Sequence, residues 1–186
     1  GWNGQQTFIE NGSWGPRLDG SLQLIGPVWN NQQLLHPYIA QKNNVKDFFD
    51  IGKSVNNNIA FNGVSSDNKL NYYLSYSNVN DDGVMPTDVD SYNRNTISYR
   101  SAYQAEDWLK VSSNVNFSTS RTNVAGSYQG TSVIDGLLEM PRDVSIVDKQ
   151  DLNSPFNTPE AYFTPYGVTN PYWALANNYN RLNSKQ

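Results

Sequence analysis

The chain has 186 residues, with 13 Lys plus Arg against 17 Asp plus Glu and a net charge of -4, so it lacks the basic field that holds nucleic acid. It has no cysteine, which excludes a disulfide framework, a thiol nucleophile and thiolate metal sites. Charged residues make up only 16%, and Asn (26) and Ser (19) fill the gap beside 13% aromatics, a mixture that suits strands and turns better than helices.

Residues 1–53 are rich in Gly, Pro, Asn and Trp, with short apolar pieces at Leu22–Ile25 and Phe48–Ile51. They are expected to be loop with one or two brief strands, and Val45–Phe49 one helical turn capped by Asn43 or Asn44. From Ser54 to Arg121 the apolar period is two, and four strands are expected. Val55, Ile59 and Phe61 share one face of the first, against Asn56, Asn58, Ala60 and Asn62. Leu70, Tyr72, Leu74 and Tyr76 oppose Asn71, Tyr73, Ser75 and Ser77 in the second. The third sets Ile97, Tyr99 and Tyr103 against Thr96, Ser98, Arg100 and Ala102. The fourth sets Leu109, Val111, Val115 and Phe117 against Lys110, Ser112, Asn114, Asn116 and Ser118.

Strands of about ten residues match the about 9–11 tilted residues that cross a bilayer. Tight turns at Ser65–Asn68 and Ala105–Asp107 alternate with a longer loop at Asp81–Ser91, the layout of an outer-membrane barrel. The expected fold is therefore all-β, a segment of an antiparallel transmembrane β-barrel. Four strands cannot close a barrel, so further strands of the same polypeptide are expected. The alternative is a β-sandwich. Residues 122–186 read as a long extracellular loop region. Within it, Val133, Ile134, Leu137 and Leu138 have helical spacing near 131–140, with Thr131 or Ser132 as cap and Pro141 as stop. Rings at Phe156, Tyr162, Phe163, Tyr166, Tyr172 and Trp173 suggest an ordered excursion.

No catalytic constellation emerges. His36, the single histidine, precedes Pro37 and reads as solvent-exposed or locally bonded. Asn78-x-Asn80-x-Asp82-Gly83 mimics the start of a calcium loop, but its twelfth position is Val89 and not Glu. Asp81, Asp82, Asp88 and Asp90, and Asp135, Glu139, Asp143 and Asp148, are not fixed across a cleft as a glycosidase pair would be. No catalytic residue, metal or cofactor is expected, and the chain is read as a non-enzyme. Trp and Tyr rings stack on sugars and Asn amides pair with hydroxyls, so a polar oligomer is a fitting ligand.

The stretch Asn44-Val45-Lys46-Asp47-Phe48-Phe49-Asp50-Ile51-Gly52 resembles the N-V-x-D-F-F-x-x-G segment of the SusC/RagA family of TonB-linked outer-membrane transporters. Trp14-Gly15-Pro16-Arg17-Leu18-Asp19-Gly20, Asp82-Gly83-Val84-Met85-Pro86, Asn93-Arg94-Asn95, Met140-Pro141-Arg142-Asp143-Val144 and Asn170-Pro171-Tyr172-Trp173 are similar to further segments of that family, over nearly the whole chain. The resemblance implies a fragment of a plugged barrel in a bacterial outer membrane, importing an oligomeric nutrient, glycan or peptide. It implies a SusD-like surface lipoprotein, TonB and outer-membrane lipid as partners. Trp14, Arg17, Asp19, Tyr172 and Trp173 are the expected substrate contacts, with Arg17 and Asp19 pairing. The alternative function is a secreted carbohydrate-binding β-sandwich module.

Overall fold

The computed structural model describes residues 15–126, 132–159, 169–177 and 179–186. The chain divides into two units, of which only these residues are described: Gly1–Asp50, Met85–Val89 and Ala125–Asn180 bound the first, and Ile51–Val84, Asp90–Val124 and Arg181–Gln186 the second.

In the first unit, β1 (Leu22–Trp29) and β2 (Gln32–Pro37) form an antiparallel hairpin. Its turn is Asn30-Asn31, both at positive φ (48° and 59°), the pairing that a two-residue type I′ turn requires. The register slips between Ile25 and Trp29, beside Gly26 at φ 75°. Three short helices follow: α1 (Asn44–Phe48), α2 (Val133–Leu138) and α3 (Pro171–Asn177). Helix α2 is capped by Ser132, whose Oγ accepts the Asp135 N–H at 3.4 Å. Val133 and Leu137 on its inner face join Phe48, Val144, Ile146, Tyr172, Ala174, Leu175 and Ile25 in one buried cluster. The Phe48 ring stands 5.0 Å from Tyr172 and 5.3 Å, edge-on, from Phe49.

Gly136 marks how closely α2 meets the start of α3. A Cβ added there would lie 2.5 Å from the Thr169 carbonyl oxygen, a backbone atom that cannot swing aside. Gly136→Ala is therefore expected to destabilise by roughly 1–3 kcal/mol despite alanine's better helix propensity. Urea titration reads this directly, and a gain in stability would refute the packing.

The second unit is one antiparallel sheet in the order β3-β4-β5-β6-β7: β3 (Lys53–Val64), β4 (Leu70–Asp82), β5 (Ser91–Glu106), β6 (Leu109–Ala125) and β7 (Tyr179–Lys185). The 65–68 turn sets the first register. Ser65 N–H bonds to the Leu70 carbonyl, Asn68 N–H bonds back to Ser65, and Asn68 takes φ 57°. Pairing then runs unbroken from Val64–Asn71 to Lys53–Asp82. At the far edge Ser118 and Gln186 exchange both backbone bonds, at 3.0 and 2.9 Å, which makes β6 and β7 antiparallel.

This corrects the barrel. The strand order is linear, β3 and β7 are its two ends, and the sheet does not close. Helices α1 and α2 lie at the helical turn expected near Val45–Phe49 and at the short helix expected near 131–140, whereas α3, which Asn170-Pro171 starts, is an element that the expected barrel segment lacks. The assignments that depended on a closed barrel fall with it: a plugged TonB-dependent importer of nutrients, and a multi-pass position in the outer membrane. Among the described residues no helix is long and apolar enough to cross a membrane. The sandwich alternative fails as well, since Ile59 (52%), Phe61 (56%), Ile97 (46%) and Phe117 (49%) stay exposed where a second sheet would cover them.

Candidate functional site

Cross-strand partners share a face, so the registers sort the second unit's side chains without ambiguity. One face carries the rows Ile59–Tyr76–Ile97–Phe117 and Phe61–Leu74–Tyr99–Val115. At its end, Asn95 gathers an amide network. Its Oδ1 accepts from Tyr76 Oη (2.8 Å) and Asn78 Nδ2 (2.9 Å), and its Nδ2 donates to Asn93 Oδ1 (3.0 Å).

The opposite face is built from small neutral polar groups. Its rows are Asn58–Ser77–Thr96–Ser118, Ala60–Ser75–Ser98–Asn116 and Asn62–Tyr73–Arg100–Asn114. Ser98 Oγ donates to Asn116 Oδ1, and the Thr96 and Ser118 hydroxyls meet at 3.4 Å. The last row holds the only aromatic ring of the three, with the Arg100 guanidinium carbon 6.0 Å from the Tyr73 ring centroid. Around this pair residues 62–64, 71–73 and 100–102 line a shallow depression of about 410 Å³, of which Asn62, Val64, Asn71, Tyr73, Arg100 and Ala102 belong to this face and Gly63, Tyr72 and Ser101 to the other. A planar ring, a cation and two side-chain amides converge there, which is equipment for stacking and for hydrogen bonding to hydroxyls. Neither Asp nor Glu is among the residues that line the depression.

The residues expected to contact substrate do not assemble. Trp14 lies outside the described residues. Arg17 and Asp19 are exposed, and the Asp19 carboxylate accepts from the Ser21 N–H (2.9 Å). Hydrogen bonding from the Ser21 side chain and backbone holds Asp19 below the usual carboxylate range. An Arg17–Asp19 ion pair does not occur among the described residues. Tyr172 is only 7% exposed, and burial pushes its phenol up. It packs on Phe48 as a core ring. Trp173, next to it on α3, is half-buried.

Asn170 explains why the Asn-Pro-Tyr-Trp segment is built as it is. Fully buried, it starts α3 by accepting the Tyr172 N–H at Oδ1 (3.0 Å), and its Nδ2 donates to the carbonyls of Lys149 (3.0 Å) and Asn157 (2.9 Å). His36 also departs from expectation. Its Nε2 lies 2.9 Å from Asp143 Oδ2, close but without hydrogen-bond alignment, so the histidine is neither exposed nor locally bonded. Lys149 is buried, and desolvation lowers its amine to about 8. Asn78, Asn80 and Asp82 all fall on the extended strand β4 and cannot wrap a cation as a loop would.

The Tyr73–Arg100 site escaped the sequence reading because its members come from three strands. The signal was present in part: the polar set of each alternating strand already held Asn62, Asn71, Tyr73 and Arg100, and the tight turn at 65–68 fixes that Asn62 meets Tyr73, while the Tyr73–Arg100 pairing depends on the register of β4 with β5. No family model matches the sequence, and no curated protein matches it either. The SusC/RagA resemblance, carried by short segments, is corrected on this finding together with the open five-stranded sheet.

Proposed function

We propose that the chain is a non-catalytic recognition element that binds a hydroxyl-rich oligomer, an oligosaccharide, on the polar face of the five-stranded sheet. The observation that carries this reading is the depression of about 410 Å³ in which the Tyr73 ring, the Arg100 guanidinium and the amides of Asn62 and Asn71 meet. A pyranose presents an apolar C–H face that stacks on a phenol ring and equatorial hydroxyls that pair with amides and a guanidinium. The surrounding rows of Ser, Thr and Asn extend the same chemistry along the sheet, enough for several sugar units. A peptide would find fewer partners here, because the face offers few apolar pockets for its side chains. The reading needs neither a lid lipoprotein nor TonB.

A glycan array with the full chain, followed by calorimetry on the strongest binder, tests it. Tyr73→Ala is expected to weaken that binder by about tenfold, or ~1.4 kcal/mol, through loss of the stacking surface. Tyr73→Phe should retain most of the affinity. A folded chain that binds nothing on the array, or binding indifferent to Tyr73→Ala, would sink the proposal.

A further inference from the structure

We propose that the outer edge of β3 accepts an additional strand from another polypeptide, an extended and uncharged segment whose side chains alternate apolar and small polar. The argument starts from the bond between Ser65 N–H and the Leu70 carbonyl (2.8 Å), which makes residues 65 and 70 a directly bonded pair. In an antiparallel ladder such pairs recur every second residue. Gly63, Phe61, Ile59, Asn57, Val55 and Lys53 therefore bond inward to β4. The N–H and C=O groups of Ser54, Asn56, Asn58, Ala60, Asn62 and Val64 turn outward.

Among the described residues nothing pairs with that outward row, and every β3 side chain except Gly63 is exposed. Edge strands are ordinarily protected by proline, a bulge, charge or brevity. β3 has none of these: it is 12 residues long, has no Pro, keeps its register throughout and carries a single charge, Lys53, at its end. The opposite edge of the same sheet is already covered by a strand. There β7, Tyr179–Lys185, joins β6 through reciprocal bonds such as Ser118–Gln186.

Only a strand offers donors and acceptors at the two-residue repeat of this edge. Its chemistry follows from the rows it would lengthen. Apolar side chains would continue the face of Val55, Ile59 and Phe61, and small polar ones the face of Asn56, Asn58 and Asn62. Acidic or basic segments find no counter-charge along β3 beyond Lys53.

The probe is a synthetic peptide of residues 111–120, which is uncharged and has this alternation, with a scrambled peptide of equal composition as control. Amide hydrogen exchange of the full chain, read by NMR, should show the peptide protecting the N–H groups of Asn56, Asn58 and Ala60, with the already bonded Asn57 and Ile59 unchanged. Ala60→Pro removes one outward N–H that the sheet does not use, so it should keep the fold and lower peptide affinity by about tenfold or more. Retained chemical shifts in β4 and β5 verify that fold. Unprotected outward amides at saturating peptide would overturn the proposal, as would equal binding of the scrambled sequence. Protection that grows with protein concentration in the absence of peptide, with a doubled mass, would overturn it in favour of a second copy of this chain.

Discussion

Phe48→Ala is expected to cost the first unit about 3–5 kcal/mol, the largest loss among single apolar truncations here. Phe48 is 1% exposed and its ring touches two others, Phe49 at 5.3 Å and Tyr172 at 5.0 Å. Truncation removes the transfer energy of a whole ring and leaves a cavity. Helix α1, only five residues long, has little hydrogen bonding of its own with which to hold its position. Near-UV circular dichroism during urea unfolding follows the tyrosine and phenylalanine environment directly. Phe48→Leu fills most of the space and should cost markedly less. A midpoint for Phe48→Ala within experimental error of wild type would refute this core.

Asn170→Ala should cost about 3 kcal/mol or more, through polar groups and not through volume. The side chain is completely buried and makes three bonds, so its removal strands the carbonyls of Lys149 and Asn157 and the N–H of Tyr172 away from water. Asn170→Asp is the sharper experiment. It preserves the acceptor that caps α3 but turns a carboxylate oxygen toward two carbonyls, and it should be at least as damaging as alanine. Thermal unfolding of the two variants side by side distinguishes the cases. An aspartate tolerated as well as asparagine would mean that the amide does not donate as described.

What could be read in the sequence depends on how local each feature is. Alternation between Ser54 and Arg121 corresponds to strands β3 to β6, because a period of two is a property of consecutive residues. Closure is different. An open sheet and a barrel wall share the same alternation, and only the pairing of the two end strands separates them. The Asn30-Asn31 turn was visible as two asparagines between apolar runs, yet the β1–β2 hairpin was read only as brief strand and loop. Tyr172 shows the converse case. Its place among aromatic residues suggests a ring offered to substrate, and the structure sets it on a helix begun by Asn170-Pro171 and packs it on Phe48. The Asn-Pro pair ahead of an apolar run was a cap signal that the eye for aromatics overlooked. Tyr73 and Arg100 lie 27 positions apart in sequence and become neighbours only through the register of β4 with β5.

The two units also differ in how far the chain must travel to make them. The second is assembled mainly from consecutive hairpins, each closed by a turn of a few residues or by one modest loop. The first depends on Asn44, whose side chain donates to the Val144 carbonyl and accepts the Ile146 N–H, and on Gln41, whose amide reaches the Asp143 carbonyl, bonds that span 100 and 102 positions. Loop closure over such a span carries an entropic cost that must be met before any contact repays it. The meander from β3 to β6 is therefore expected to form early, and by shortening the path between residues 44 and 144 to speed the later closure, an order that pulsed hydrogen exchange during refolding would read directly.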